Sequence, residues 1–438
     1  MFESLLGFAI LFVLVLLRVP IAIAMIMVGT AGFAMLRNWH AALNILGGTA
    51  LDTGMSFTLS VIPLFILMGN LLTISGVSGS LFSAAHRALY RLRGGLAMAS
   101  IVACGGFSAV CGSSLATAAT MSKVAMPSMR KVGYADSLAT GSIAAGGTLG
   151  ILIPPSVILV LYGIMTEQNI GMLFMAGIVP GLLGILLYMG AVRATIWFNP
   201  EAGPPGDRMP WSERLMALRG VWGVLILFIL VMGGIYGGFF TPTEAAGIGA
   251  SGAFLFALFK GRLTIKELGS ILIQSVRTTA MIFSVLIGAL LFANFINIAD
   301  LPGILSLWVL KANLSPLMVL MMIIAIYIVL GCVLESLSMI LLTVPVFYPM
   351  ISEIAFPVVP PHLVLIWFGI LVVVVTEISL ITPPVGLNVF VLRGVLPDVT
   401  TGTIFKGVTP FWVADIIRLA VLVFFPALAL GVPMLMMN

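Results

Sequence analysis

The chain has 438 residues, 61% of them hydrophobic and only 8% Asp, Glu, Lys or Arg, with a mean hydropathy of +1.23. A soluble domain carries roughly 25% charged residues because its surface must hydrate, so this composition excludes a water-soluble fold. The net charge of +5 is spread thinly and forms no nucleic-acid-binding domain, while the 47 glycines and 24 prolines lie inside apolar runs, where membrane helices tolerate both.

Taken in chain order, the clearest charge-free runs are 19–36, 53–85, 137–166, 168–192, 220–240, 278–299, 312–334, 354–376 and 419–438. A helix needs about 20 residues to cross hydrocarbon, so about ten to twelve crossings are expected. The first segment lacks a basic leader and a small-residue cleavage site, and is expected to be retained. The polar stretch 199–219 contains Asn199-Pro200-Glu201 and Gly203-Pro204-Pro205-Gly206 and reads as a linker. It divides a first half, 1–198, from a second, 220–438. Arg87, Arg91, Arg93, Arg130, Lys131, Arg193, Arg208, Arg214, Arg219, Lys260, Arg262 and Lys266 mark cytoplasmic loops, whereas 299–392 carries Lys311 as its only basic residue and should reach only the far side. Cys104, Cys111 and Cys332 have no spacing that suggests a disulfide or metal framework.

The two halves resemble each other. Val28-Gly29-Thr30-Ala31-Gly32 matches Ile248-Gly249-Ala250-Ser251-Gly252, Gly69 matches Gly288, and each half ends with a double proline in an apolar run, Pro154-Pro155-Ser156 and Pro383-Pro384-Val385. Two consecutive prolines remove backbone donors and bias the preceding residue to an extended conformation, so no helix passes through them unbroken. The expected fold is all-α and polytopic, with two inverted-topology repeats. Broken helices are placed at about 137–165 and 363–396. Upstream of each lies a small-residue, hydroxyl-rich element, Gly112-Ser113-Ser114 in one half and Glu335-Ser336-Leu337-Ser338 in the other. These read as tips of re-entrant hairpins at about 96–127 and 316–350. The flanks of the first are basic and those of the second are not, so the two should enter from opposite faces.

At these motifs the chain resembles the large membrane subunit of the TRAP transporters, the tripartite ATP-independent periplasmic transporters. The resemblance runs through Ile62-Pro63-Leu64-Phe65 with Gly69-Asn70, Gly112 to Thr117, Pro127 to Tyr134, Gly150 to Ser156, Thr241-Pro242-Thr243-Glu244 and Ile381 to Gly386. It implies sodium-driven uptake of an organic acid anion such as a C4-dicarboxylate or a sialic acid, across the inner membrane, by an elevator motion. The implied partners are a periplasmic substrate-binding protein and a small four-helix membrane subunit, the latter expected as a separate chain. Carried onto this sequence, the sodium sites of the family fall on Gly112, Ser113, Ser114, Pro154 and Pro155 in one repeat. In the other they fall on Ser336, Ser338, Thr382, Pro383, Pro384 and Gly386. Thr117, Ser156 and Asn388 are the substrate-binding candidates. Lys123 departs from the family, which usually has small apolar residues after the hairpin tip.

Glu335 and Glu377 interrupt apolar runs. A mid-membrane charge costs at least about 2.5 kcal/mol, so each needs a partner or a cavity: pairing to Lys123, Arg277 or a helix terminus is expected, with charge relay as the alternative. His40, His86 and His362 are far apart, so no metal site other than sodium is expected. Two rivals stand beside the TRAP reading. One is a self-sufficient sodium-coupled dicarboxylate carrier of similar plan. The other is an intramembrane serine enzyme, for which no GxSxG or HExxH motif is present. No GxxxxGK[ST] loop for ATP-driven transport occurs either.

Overall fold

The computed structural model describes residues 2–205, 220–261 and 263–437; 206–219, the larger part of the expected linker, lies outside the described residues. The first half forms α1 (Phe2–Leu16), α2 (Ile21–Leu36), α3 (Trp39–Met55), α4 (Val61–Ile74), α5 (Val77–Leu89), α6 (Gly95–Cys111), α7 (Ser114–Val132), α8 (Asp136–Thr148), α9 (Val157–Met165) and α10 (Ile170–Phe198). The second forms α11 (Trp222–Tyr236), α12 (Pro242–Phe259), α13 (Ile265–Ile298), α14 (Leu301–Lys311), α15 (Pro316–Leu330), α16 (Ser336–Glu353), α17 (Val364–Ser379), α18 (Leu387–Val395), α19 (Thr401–Phe424) and α20 (Ala427–Met437).

Away from water an unpaired first-turn N–H is costly, and the sequence meets this with polar residues just before the helices. Asn38, Ser113, Ser156, Asn169 and Ser315 each accept the backbone N–H three residues on. Thr241 with Glu244 and Thr264 with Glu267 form reciprocal capping boxes, in which the carboxylate returns to the cap's own N–H.

The matched glycine segments explain how the halves interlock. A Cβ on Gly29 of α2 would lie 2.6 Å from the backbone nitrogen of Phe292 in α13, and one on Gly288 would lie 2.7 Å from the carbonyl oxygen of Ala22. The equivalent helix of the other half, α12, places Gly249 where a Cβ would meet Met68 Sδ of α4 at 2.6 Å. Each half therefore packs its small-residue helix into the partner half, and close backbone approach replaces the hydrophobic drive that lipid does not supply. A third such crossing joins α8 to α19, where Gly141 and Gly407 leave no room for side chains.

Two hairpins and two broken helices fill the interior. In the first hairpin, α6 and α7, the N–H of Leu96 donates to the Tyr134 hydroxyl at 3.2 Å, which brings both ends of the hairpin together. The backbone then closes the base, with Gly94 N–H to Gly203 and Ala135 N–H to Ala202, both at 3.0 Å. In the second hairpin, α15 and α16, the hydroxyls of Tyr327 and Thr343 are bonded across the arms at 2.6 Å. The broken helices supply the central posts. From Leu138 to Thr148 every residue of α8 is buried, as is every residue of α17 except Leu365. Small residues let neighbours close on α8, whereas the Val372 to Val375 run fills space around α17.

Among the described residues six helices are individually long and apolar enough to span, or seven if the α3 to α4 pair, bent by 59°, is one span; shorter apolar helices, α1, α2, α11 and the 15-residue α15 among them, stand beside these. At the base of the first hairpin Arg130 pairs with Asp136 at 3.0 Å and with Asp398 of the second half at 2.5 Å. That hydrogen bond from Arg130 holds the exposed Asp398 carboxyl below its ordinary range, so the tether persists at neutral pH and is lost as pH falls through the lowered value. The topology is open to a direct test. With Cys104, Cys111 and Cys332 replaced, Arg91→Cys and His362→Cys, both at exposed positions, should be labelled from opposite faces of the membrane. Labelling of both from one face would refute the inverted arrangement.

Candidate functional site

Each hairpin tip meets the break of its own repeat. In the first, α6 ends on Gly112 with φ +62° and α7 begins after the extended Ser113, a left-handed turn that glycine adopts without strain. A Cβ on Gly112 would lie 3.6 Å from the carbonyl oxygen of Pro155, and one on Gly150 would lie 3.2 Å from Ser108 Oγ. The tip is thus seated on the interruption between α8 and α9. In the second, Gly331 packs on Ser379 and the Cys332 thiol lies 3.6 Å from the carbonyl oxygen of Pro383. Gly386, with φ +58°, starts α18. The Pro154-Pro155 and Pro383-Pro384 peptide bonds are both cis.

Buried oxygens gather at these meetings. The side-chain oxygens of Ser108 and Ser114 at the first, and of Ser336 at the second, have no hydrogen-bond partner among the described residues, and Thr117 beside the Cys111 thiol and Ser338 beside the Glu335 carboxyl complete the two clusters. Nor do the carbonyls of Pro154 and Pro155 accept any bond there. A buried hydroxyl without a partner costs roughly 1–3 kcal/mol, and one such group is ordinary while a cluster at both tips is not. Oxygens alone, from hydroxyls and carbonyls, are the donor set of a hard cation, so these residues fit a sodium ion.

Other expected ligands are committed elsewhere. Ser113 accepts the N–H of Ala116 at 3.4 Å. Thr382 donates to the Ile378 carbonyl at 2.6 Å and accepts from the Trp412 indole at 3.0 Å. Ser156 caps α9 and donates to the Ile151 carbonyl. Asn388 braces the halves by donating from Nδ2 to the Ala144 carbonyl at 2.9 Å, which leaves its Oδ1 unpartnered. Lys123 is exposed on α7.

The two tips line one cavity of about 230 Å³. Gly112 to Ala116 contribute from the first and Glu335 to Leu337 from the second, with Ile151, Val157, Leu380 and Leu387 from the breaks. Asn70 of α4 and Gln274, Thr278 and Met281 of α13 close it from the crossed helices; Asn70 is held by Ser275 at 2.8 Å. Glu335 is therefore the one acid of the lining. The N-termini of α7 and α16 both open on this space, and helix N-termini favour anions.

Glu377 lies behind the second break, and its expected pairing is corrected. The partner is Arg418 of α19, both fully buried, not Lys123, Arg277 or a helix end. Arg418 also holds Asp415 at 2.8 Å, Asp415 accepts from Tyr188 at 2.7 Å, and Tyr188 meets Thr148 at 3.1 Å. This buried chain links the last turn of α8, before the first break, to α17, before the second. The signal for it in the sequence is Asp415-Ile416-Ile417-Arg418, two opposite charges one turn apart inside an apolar helix. Ser108 and Gln274 are further site residues that the expected ligand set did not include, and Asn70, part of the Gly69-Asn70 motif, takes a place in the lining that the motif did not assign to it.

Paired hairpin tips set on paired broken helices, around one shared cavity in a lipid-embedded frame, define a membrane transporter of two-repeat architecture. The chain matches the family described as tripartite ATP-independent periplasmic transporter, DctM component, over residues 8–428, and it belongs to that family. It is 36% identical to a C4-dicarboxylate TRAP transporter large permease protein of Pseudomonas aeruginosa, over 87% of each chain. It is 32% identical to a sialic acid TRAP transporter large permease protein of Vibrio cholerae, over 96% of each. Among solved structures, the Alcanivorax borkumensis YdaH transporter superposes with a TM-score of 0.62 at 17% identity, covering 89% of this chain and 90% of that one, which is a likeness of fold.

Proposed function

We propose that this protein is the translocating permease of a sodium-coupled uptake system for a small organic acid anion, working with a periplasmic binding protein and a small four-helix membrane subunit. The observation that carries the reading is the set of unpartnered buried oxygens at both tip-to-break contacts, Ser108 and Ser114 on one side and Ser336 on the other. Two ion sites flank a cavity into which two helix N-termini open, so cation and anion are held close together and each favours the other's binding. Both relatives named above transport carboxylates by their names, which supports an organic acid as the cargo.

An elevator motion is supported by the unequal packing of the hairpins. The α7 arm packs on α5, α6, α8 and α18, whereas the α16 arm packs on α9, α13, α14 and α17. The second hairpin therefore meets the crossed helices through α16 on α13 and the first through α6 on α4, so the two hairpins sit unequally in the frame, as they would in one end state of a moving unit.

Reconstitution tests the reading. Liposomes with this chain alone should show little uptake; activity should require the small subunit, the matching binding protein and an inward sodium gradient, without ATP. Robust sodium-driven accumulation by the chain alone would instead establish the self-sufficient carrier. Uptake indifferent to sodium would overturn the coupling.

A further inference from the structure

The packed face of α7 carries Ser114, Thr117, Ala118, Met121, Ser122, Ala125, Met126 and Met129, all buried. Opposite it, Ala116, Lys123, Pro127 and Arg130 are exposed. At 3.6 residues per turn these four fall within roughly 60° of arc, and Lys123 stands about 10 Å along the helix from Ala116. Ala116 lines the cavity, and Arg130 lies at the hairpin base. The row therefore runs from the cavity to the base of the first hairpin. Arg130 is neutralised by Asp136 and Asp398, while Lys123 makes no ion pair among the described residues, which leaves it as the uncompensated cation of the row.

An ionised side chain partway along a membrane-embedded hairpin arm belongs in a water-filled space and not against lipid. We propose that the Ala116 to Arg130 face of α7 walls an aqueous path between the cavity and the cytoplasm, and that Lys123 makes this path selective for anions, drawing the negatively charged cargo out of the cavity towards the cell interior. The proposal rests on the reading of the cavity as an anion carrier's site, and adds a specificity-determining charge outside the ion sites.

Charged thiol reagents measure it without knowledge of the cargo. In inside-out membrane vesicles, with the native cysteines replaced by Ala, Ala116→Cys should react with the anionic sulfonatoethyl methanethiosulfonate in preference to the cationic trimethylammonioethyl reagent. A unit charge about 10 Å away in water alters each rate about twofold in opposite senses. Lys123→Gln should therefore lower the anion-to-cation rate ratio about fourfold, and Lys123→Glu about sixteenfold. Lys123→Cys should itself be modified from the same side. An unchanged ratio in both variants would overturn the role of Lys123 while leaving the cavity standing. No reaction at Ala116→Cys or at Lys123→Cys would overturn the path. Labelling as expected, together with failure of sodium-driven uptake in the complete system, would instead overturn the proposed function.

Discussion

Arg418→Met is expected to destabilise the protein by about 3–5 kcal/mol, the cost of breaking a buried ion pair by removing one partner. Methionine keeps most of the volume but leaves Glu377 and Asp415, both fully buried, without the guanidinium that balances them. The effect should appear as a fall in melting temperature and loss of a monodisperse peak in detergent. Adding Glu377→Gln and Asp415→Asn to Arg418→Met removes the stranded charges and should recover a large part of the loss, because neutral side chains are far cheaper to bury than unpaired carboxylates. Unaltered melting of Arg418→Met would mean that the network does not hold the two breaks together.

Ser114→Ala and Ser336→Ala should each raise the sodium concentration for half-maximal uptake roughly tenfold, equivalent to about 1.4 kcal/mol of ion binding. Both hydroxyls are buried and unpartnered, so their removal deletes a cation ligand at little packing cost. Thr382→Ala is the discriminating companion. Its hydroxyl already serves Ile378 and Trp412, so it should shift sodium dependence by no more than about twofold, while lowering stability through the lost bonds. A sodium dependence unchanged in both Ser variants, measured in the complete reconstituted system, would remove the proposed ion sites from the hairpin tips.

The contrast between Ser114 and Thr382 also shows where sequence reasoning stopped. A hydroxyl beside a helix break has two fates, as a ligand facing the break or as a local hydrogen bond to its own backbone, and the residue type is the same for both. Ser113 and Ser156 became helix caps, whereas Ser108, one turn before the tip, points at Gly150. The pairing of Glu377 was illegible for a similar reason. Its partner lies 41 residues onward on another helix, and only the folded arrangement of α17 against α19 brings the two together.

By itself the sequence determined the membrane class, the duplication, the two hairpins and the two breaks. Each of these follows from local chemistry: hydropathy decides what lipid accepts, and double prolines deny a helix its donors wherever they stand. The repeated glycine segments marked helices that approach closely, but not which. Only the tertiary structure decided that α2 crosses α13 and α12 crosses α4, that both tips share one cavity, and that Arg418 stands between two carboxylates. Partner choice and the occupancy of a polar atom depend on what else reaches the same point in space, and residues far apart in the chain meet only in the fold.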